Sequence, residues 1–120
     1  MEETINTVNH TLSILSIMGF FSDHKQQELD AAAQIMYNDM TGFSSLLDCS
    51  NGVMTASVKL YAEKAENSIV SFCQTCKRYE ATHNFVKWAG QQTMVTGVLM
   101  AVSGFANEVM KTTGYRFTKL

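Results

Sequence analysis

The sequence predicts an all-α protein, an antiparallel bundle of about four helices with one long central helix, and three observations support this prediction. The 120-residue chain contains no proline, so no residue type forces a helix to break. Hydrophobic residues make up 46% of the chain and charged residues 17%, a balance typical of a folded globular domain. Apolar residues recur at helical spacing in four segments. Since 120 residues is an ordinary domain length, we expect a single domain over residues 1–120.

The first helix is predicted from about Glu3 to Phe20. Two acidic residues lie in its first turn, where the helix dipole favours negative charge. One stripe of this helix carries its apolar residues, which are Ile5, Val8, Leu12, Leu15 and Met18 or Gly19.

The second helix is predicted to begin at Ser22 or Asp23, because Asp23 followed by Gln26 fits a capping box. Gly42 could end this helix early, and residues 41–52 are either a continuing helix or a loop. The apolar residues of the helix repeat at steps of four and three and are Leu29, Ala33, Met36, Met40 and Phe43.

The third helix is predicted to follow the turn Ser50-Asn51-Gly52 and to run to Trp88. The alternative is a break near residues 82–84, where helix propensity is middling. A seam of small and apolar residues with a coiled-coil period, which we expect to organise the chain's own core, consists of Val58, Ala62, Ala65, Ile69, Phe72, Cys76, Tyr79, His83 and Val86.

The fourth helix is predicted from about Gln91 to Thr112, with Gly90 as the turn before it and Gly114 as a left-handed cap after it. Its bulky stripe consists of Val95, Val98 or Leu99, Val102, Phe105 and Val109. The six residues that follow Gly114 alternate between aromatic, basic and polar types and are expected to be docked or frayed.

Small residues recur on a second face of the fourth helix, with Gly90, Gly97 and Gly104 seven residues apart. Each interior glycine costs about 1 kcal/mol relative to alanine, so the line indicates that a neighbouring backbone comes close, unless small residues are merely tolerated there. A polar residue on a helix seam, such as His83, can set the register of packed helices. We therefore predict a helix–helix interface formed by Gly97, Ala101, Gly104, Trp88 and His83.

Charge is divided unevenly along the chain. Residues 1–52 carry seven acidic residues against one lysine, whereas residues 53–120 carry eight basic residues against four acidic ones. Either the two halves pack on each other and their fields cancel, or the acidic surface of one protomer meets the basic surface of the next.

The candidate chemistry lies along one side of the third helix, at Cys73, Cys76, Glu80 and His83. These residue types bind soft metals, and Glu-x-x-His is half of a di-iron bundle site. Four ligands over ten residues of straight helix span about 15 Å, however, and cannot all reach one ion. The Cys-x-x-Cys pair also lacks the helix N-terminus that lowers a thiol pKa. We therefore predict no catalytic residue, cofactor or metal and no enzyme, with thiol or metal chemistry at these four residues as the exception.

Residues 89–107 carry no charge, which raises the question of a membrane span. Three glycines, two glutamines and two threonines dilute the segment, so we expect no stable span, and conditional insertion stays open. Basic residues are too few, and the net charge of −2 has the wrong sign, for nucleic-acid binding. Three cysteines and no evident signal peptide favour the cytoplasm, with export by a dedicated secretion system without a cleaved signal as the alternative.

The tripeptide Trp88-Ala89-Gly90 resembles the Trp-x-Gly turn of the small secreted WXG proteins of bacterial type VII systems. The resemblance covers these three residues and implies a helical hairpin and dimerisation. The resemblance supports the alternative in which the protein is exported.

Two functions are consistent with these patterns. The first is a structural or assembly protein that self-associates through helix–helix packing, as a ring or a filament. The alternative is a small adaptor, chaperone or inhibitor that holds the helix of a partner protein in an apolar groove. Adaptable contacts in such a groove would come from methionines, namely Met36, Met40, Met94, Met100 and Met110.

Overall fold

The computed structural model describes the backbone of residues 1–17, 26–82 and 85–120, and the side chains of residues 1–11, 28–79 and 95–120. Helix α1 spans Glu2–Ile17, α2 Gln26–Cys49, α3 Ala56–Thr82 and α4 Phe85–Thr113, and these described ranges contain no strand. Helix α2 packs on α3, and α1 packs on α4 and α2, in a bundle of 45 × 21 × 18 Å. The prediction of an all-α helical bundle is confirmed.

The boundary between α3 and α4 differs from the prediction. The structure describes α3 as far as Thr82 and α4 from Phe85, and residues 83–84, near which the alternative break was expected, lie outside the described residues. Gly90 was predicted to be a turn, which was wrong, because it lies within α4. The tripeptide Trp88-Ala89-Gly90 is therefore helical and not a hairpin turn. At 29 residues, α4 is longer than α3 with 27.

The connection between α2 and α3 follows its local sequence. Asn51 and Gly52 both have positive φ, 55° and 80°, which confirms the predicted turn. The Gly52 amide donates to the Leu47 carbonyl at 2.9 Å, closing the end of α2. Thr55 caps the start of α3, since its Oγ1 accepts from the Val58 amide at 3.3 Å. The capping box expected at Ser22 or Asp23 lies outside the described residues.

Residues 41–49 continue α2 as a helix, and Gly42 does not end it. The reason for the glycine is tertiary. A Cβ at Gly42 would overlap with the phenol ring of Tyr61 in α3. The missing side chain at Gly42 thus makes room for an aromatic ring of the facing helix, and the glycine is a packing residue.

The substitution Gly42→Ala is expected to lower the free energy of unfolding by about 1 kcal/mol. Overpacking costs about 1–3 kcal/mol, which exceeds the gain of about 1 kcal/mol from the higher helix propensity of alanine. In a Tyr61→Ala background the clash is gone, and Gly42→Ala is expected to stabilise the protein. Urea unfolding of the four proteins measures both effects, and equal destabilisation in both backgrounds would contradict the role assigned to Tyr61.

The core lies where the predicted apolar stripes meet. The stripe of α2 from Leu29 to Phe43 is buried throughout, as are Ile5 and Val8 of α1. The side chains of Leu12, Leu15, His83 and Val86 lie outside the described part of the chain. The predicted seam of α3 is buried at each described position, which are Val58, Ala62, Ala65, Ile69, Phe72, Cys76 and Tyr79.

A buried carboxylate joins α2 to α3 inside the bundle. Asp39 is 5% exposed and accepts a hydrogen bond from Ser68 Oγ. Its second oxygen lies 3.6 Å from Lys64 Nζ, and this ammonium lies 5.1 Å from the centroid of the Tyr61 ring. The ion pair between Asp39 and Lys64 links the acidic half of the sequence to the basic half, as expected if the two halves pack on each other.

Candidate protein-protein interface

Helix α4 presents three faces over residues 95–113. The first packs into the core and carries the predicted bulky stripe. Its buried residues are Val95, Val98, Val102, Phe105 and Val109, whereas Leu99 is half-buried.

The second face carries the small residues and meets α1. A Cβ added at Gly104 would lie 3.7 Å from Thr4 Cγ2, and Thr4 Oγ1 donates to Glu108 Oε1 at 3.1 Å. Ala101 is half-buried against the core. The helix that comes close to Gly104 is therefore α1 of the same chain.

The remaining predicted interface residues are placed differently. Gly97 is half-buried, and a Cβ there would meet no atom of the described residues within 4 Å. Trp88 lies within α4, but its side chain, like the whole of His83, lies outside the described part of the chain. The role of these residues between protomers stays a prediction.

The third face of α4 points outward and carries polar and methionine side chains, with the exposed Lys111 beside them in the last turn. We call it the outward stripe, and it consists of Thr96, Met100, Ser103, Asn107 and Met110. Met100 is 70% exposed and Met110 is 46% exposed. The other helices carry exposed apolar side chains at Ile35 on α2 and Leu60 on α3. An exposed apolar patch rimmed by polar residues is typical of an interaction surface, and here two methionines lie among uncharged polar side chains.

A groove of about 240 Å³ borders the outward stripe. Asn107 and Met110 line it from α4, and Arg116 and Leu120 line it from the chain beyond α4. The groove combines apolar carbon with one guanidinium, which suits a partner surface of mixed character.

Residues 115–120, which we call the tail, dock onto the bundle. Gly114 has φ 76°, and its amide donates to the Met110 carbonyl at 2.8 Å, so it forms the predicted left-handed cap. Phe117 is 6% exposed and stacks on Phe105 with ring centroids 5.9 Å apart. The rings of Phe43 and Tyr115 each form an edge-to-face pair with the Phe117 ring. The tail thus completes the aromatic core between α2 and α4.

A buried carboxylate on α3 holds the end of the tail. Glu66 is 4% exposed, and its Oε2 accepts the backbone amide of Lys119 at 3.0 Å. The ammonium of Lys119 donates to Asn67 Oδ1 at 2.8 Å. Burial raises the pKa of the Tyr115 phenol, and the carboxylates of Glu66 and Glu63 raise it further.

A second groove, of about 290 Å³, lies between α1 and α2. Hydroxyl and carboxylate groups, including those of Glu2, Tyr37, Thr41 and Asp48, line it. Its polar lining does not fit the apolar face of a partner helix.

The thiol motif on α3 lacks the setting of a redox pair. Burial raises the pKa of the Cys73 thiol, and Lys77 only partly offsets this, so the reactive thiolate is disfavoured. Cys76 is buried on the core seam. Among the described residues, no group of three or more histidine, cysteine, aspartate or glutamate side chains could hold a metal ion. The side chains of Glu80 and His83 lie outside that set.

Two of the methionines predicted to line a groove for a partner helix lie in the core instead. Met36 and Met40 are fully buried, so their assignment to an exposed groove was wrong, since both belong to the packed stripe of α2. Met100 and Met110 are exposed, and the side chain of Met94 lies outside the described residues. Among the described residues, the exposed methionines therefore lie on α4.

Sequence reasoning missed the roles of Glu66 and Phe117. Alternating aromatic and basic residues after Gly114 were the available signal for a docked tail, but no local pattern pairs the tail with a carboxylate more than 50 residues earlier. None of the helices in the described part of the chain is both long and apolar enough to cross a membrane. Comparison with protein families, with curated proteins and with solved structures finds no match for this chain.

Proposed function

We propose that this chain is a non-enzymatic structural or assembly protein of one domain that self-associates through helix–helix packing, with the outward stripe of α4 as the contact. The observation that supports the proposal is Met100, which is 70% exposed on the outward stripe of α4. Burying a methionine side chain contributes about 1.5–3 kcal/mol, so water is an unfavourable environment for this face.

The composition of the stripe also favours association. Thr96, Ser103 and Asn107 are polar but uncharged, so covering them removes no charge from water, which would cost several kcal/mol per ion. Gly97 lies on the adjoining edge of α4, where a Cβ would meet no atom of the described residues within 4 Å. If the stripe packs on a different surface of the next protomer, the contact is heterologous and produces a ring or a filament.

We also propose that the helices run antiparallel. The contacts between α2 and α3 support this, since Asp39 bonds to Ser68 whereas the later Gly42 lies against the earlier Tyr61. A short connection over residues 50–55 also favours antiparallel neighbours.

The alternative function is a small adaptor, chaperone or inhibitor that binds a partner helix. Met100 and Met110 favour it specifically, because flexible thioether side chains adapt to different apolar surfaces. For either function we retain a cytoplasmic location as the expectation and signal-independent export as the alternative.

The variant Met100→Lys is expected to weaken self-association at least tenfold, because association would then bury an ammonium. Multi-angle light scattering over a concentration series measures the mass. Leu60→Lys is the matched control, since Leu60 is 68% exposed on α3 and lies outside the stripe. A wild-type monomer at all concentrations up to about 100 μM would set Kd above that value and contradict assembly.

Two glycine variants separate contacts between protomers from contacts within one. Gly97→Leu is expected to impair association with helicity retained, because a Cβ at Gly97 meets no described atom of its own chain within 4 Å. Gly104→Leu is expected to disturb the packing of α1, because Thr4 lies 3.7 Å from the site of its Cβ. Circular dichroism on both variants reads helicity. Assembly by Gly97→Leu equal to that of wild type would exclude the Gly97 edge from the contact.

A further inference from the structure

We infer that the surface of α2, α3 and α4 that holds the tail is a binding site for an aromatic and basic chain segment, and that in the assembled protein residues 115–120 of a second copy occupy it. This inference rests on the self-association proposed above. It adds a second contact, at a site formed by Phe43, Glu66, Asn67 and Phe105.

The contacts of the tail have the chemistry of segment recognition. One apolar anchor, the ring of Phe117, inserts between Phe43 and Phe105. One backbone amide, that of Lys119, is captured by a buried carboxylate. An anchor in a pocket together with a captured backbone group is how grooves recognise extended peptides. A tail from another molecule would make the same contacts as the chain's own tail.

Charge complementarity identifies the occupant as a basic segment. The tail carries Arg116 and Lys119 and no acidic side chain. The surface of α3 beneath it carries Glu63 and Glu66. Glu66 contacts the tail directly through its bond to the Lys119 amide, and the charges of Glu66 and Glu63 add to burial in raising the pKa of the Tyr115 phenol. Acidic residues at the site favour the binding of a basic segment over the binding of an acidic one.

The connection to α4 permits exchange between copies. Gly114 alone separates the last helical residue, Thr113, from the tail, and its φ of 76° is a conformation that glycine adopts and leaves at low cost. Rotation at this residue redirects the tail without changing α4. Exchange of an identical element preserves each native contact and is therefore a low-cost route to oligomers.

Lys119→Pro provides the sharpest variant for testing the site. Proline has no amide hydrogen, so this substitution removes the bond to Glu66 while leaving Phe117 in place. Lys119→Ala is its matched control, because it keeps the amide and removes only the ammonium that bonds to Asn67. Phe117→Ala is a second variant with a weakened tail, whose site can therefore bind an added peptide. Urea unfolding first establishes that each full-length variant is folded.

The ligand in the binding test is a fluorescent peptide with the sequence of residues 114–120, and fluorescence anisotropy measures its affinity. We expect the Lys119→Pro and Phe117→Ala chains to bind it at least tenfold more tightly than wild type. In wild type the attached tail competes at an effective concentration of about 1 mM. A peptide with alanine in place of Phe117 is expected to bind at least tenfold more weakly. No binding by either variant, or equal binding of the two peptides, overturns the site.

A mixing experiment tests the second copy as the occupant. Glu66→Ala impairs the site but keeps an intact tail, whereas Lys119→Pro keeps the site and weakens the tail. Sedimentation of an equimolar mixture is expected to show a mixed dimer beyond what either variant forms alone. Its absence overturns the second copy as occupant. If wild type assembles through Met100 but the Lys119→Pro and Phe117→Ala chains bind no peptide, this inference alone is overturned. If wild type is monomeric, the proposed function is overturned as well.

Discussion

Replacing Phe105 with alanine is expected to lower the free energy of unfolding by about 3–5 kcal/mol, the usual cost of truncating a fully buried phenylalanine. Phe105 has no exposed surface. Its ring lies 5.8 Å from Phe43 in an edge-to-face arrangement and 5.9 Å from Phe117 in a stacked one. The substitution removes contacts with α2 and with the tail together. Since domains are stable by about 5–15 kcal/mol, the variant is expected to approach the limit of folding. Urea unfolding followed by circular dichroism measures the loss.

The matched control for Phe105→Ala is Leu60→Ala. Leu60 is 68% exposed, and truncating it is expected to change the free energy of unfolding by no more than about 0.5 kcal/mol. A loss below about 1 kcal/mol at Phe105 would mean that the three-ring cluster does not form the centre of the core.

Ser68→Ala is expected to destabilise the protein by about 1–3 kcal/mol, because it removes the hydroxyl that donates to a buried carboxylate. Asp39 is 5% exposed and is left with Lys64, whose nitrogen lies 3.6 Å away and whose side chain is largely in solvent. An unsatisfied buried acceptor costs more than the hydrogen bond contributes. Urea unfolding again provides the measurement.

A double-mutant cycle isolates the pair of Asp39 and Ser68. The variant with alanine at both positions is expected to lose less stability than the sum of the single variants, because neither polar partner remains unsatisfied. Ser71→Ala is the control on the exposed side of α3, with an expected change within about 0.5 kcal/mol. Additive losses in the cycle would show that Asp39 and Ser68 do not depend on each other.

Local sequence patterns predict the helices and their buried faces. The steps of four and three in α2 and α3 predicted which residues are buried, because that period places side chains on one side of a helix. Asn51, Gly52 and Gly114 were predictable for a similar reason, since each adopts a positive φ that its own side chain, or the lack of one, permits. These are local properties of the backbone.

The residues that those faces contact follow from the packing of the whole chain. Gly42 signalled a helix end in the sequence, and only the Tyr61 ring of α3 explains its place within α2. Gly90 signalled a turn, yet it lies within α4. A single glycine in a helix costs only about 1 kcal/mol, and the packing of the valine-rich face of α4 into the core offsets this cost.

The candidate interface shows the same division. The sequence singled out α4 as a helix with one bulky and one bare face, but the structure places α1 of the same chain against Gly104 and turns Met100 outward. Periodicity states which residues share a face, whereas the partner of that face depends on contacts between distant segments, such as Glu66 with Lys119. Such pairings follow from the packing of the whole chain, and no local pattern encodes them.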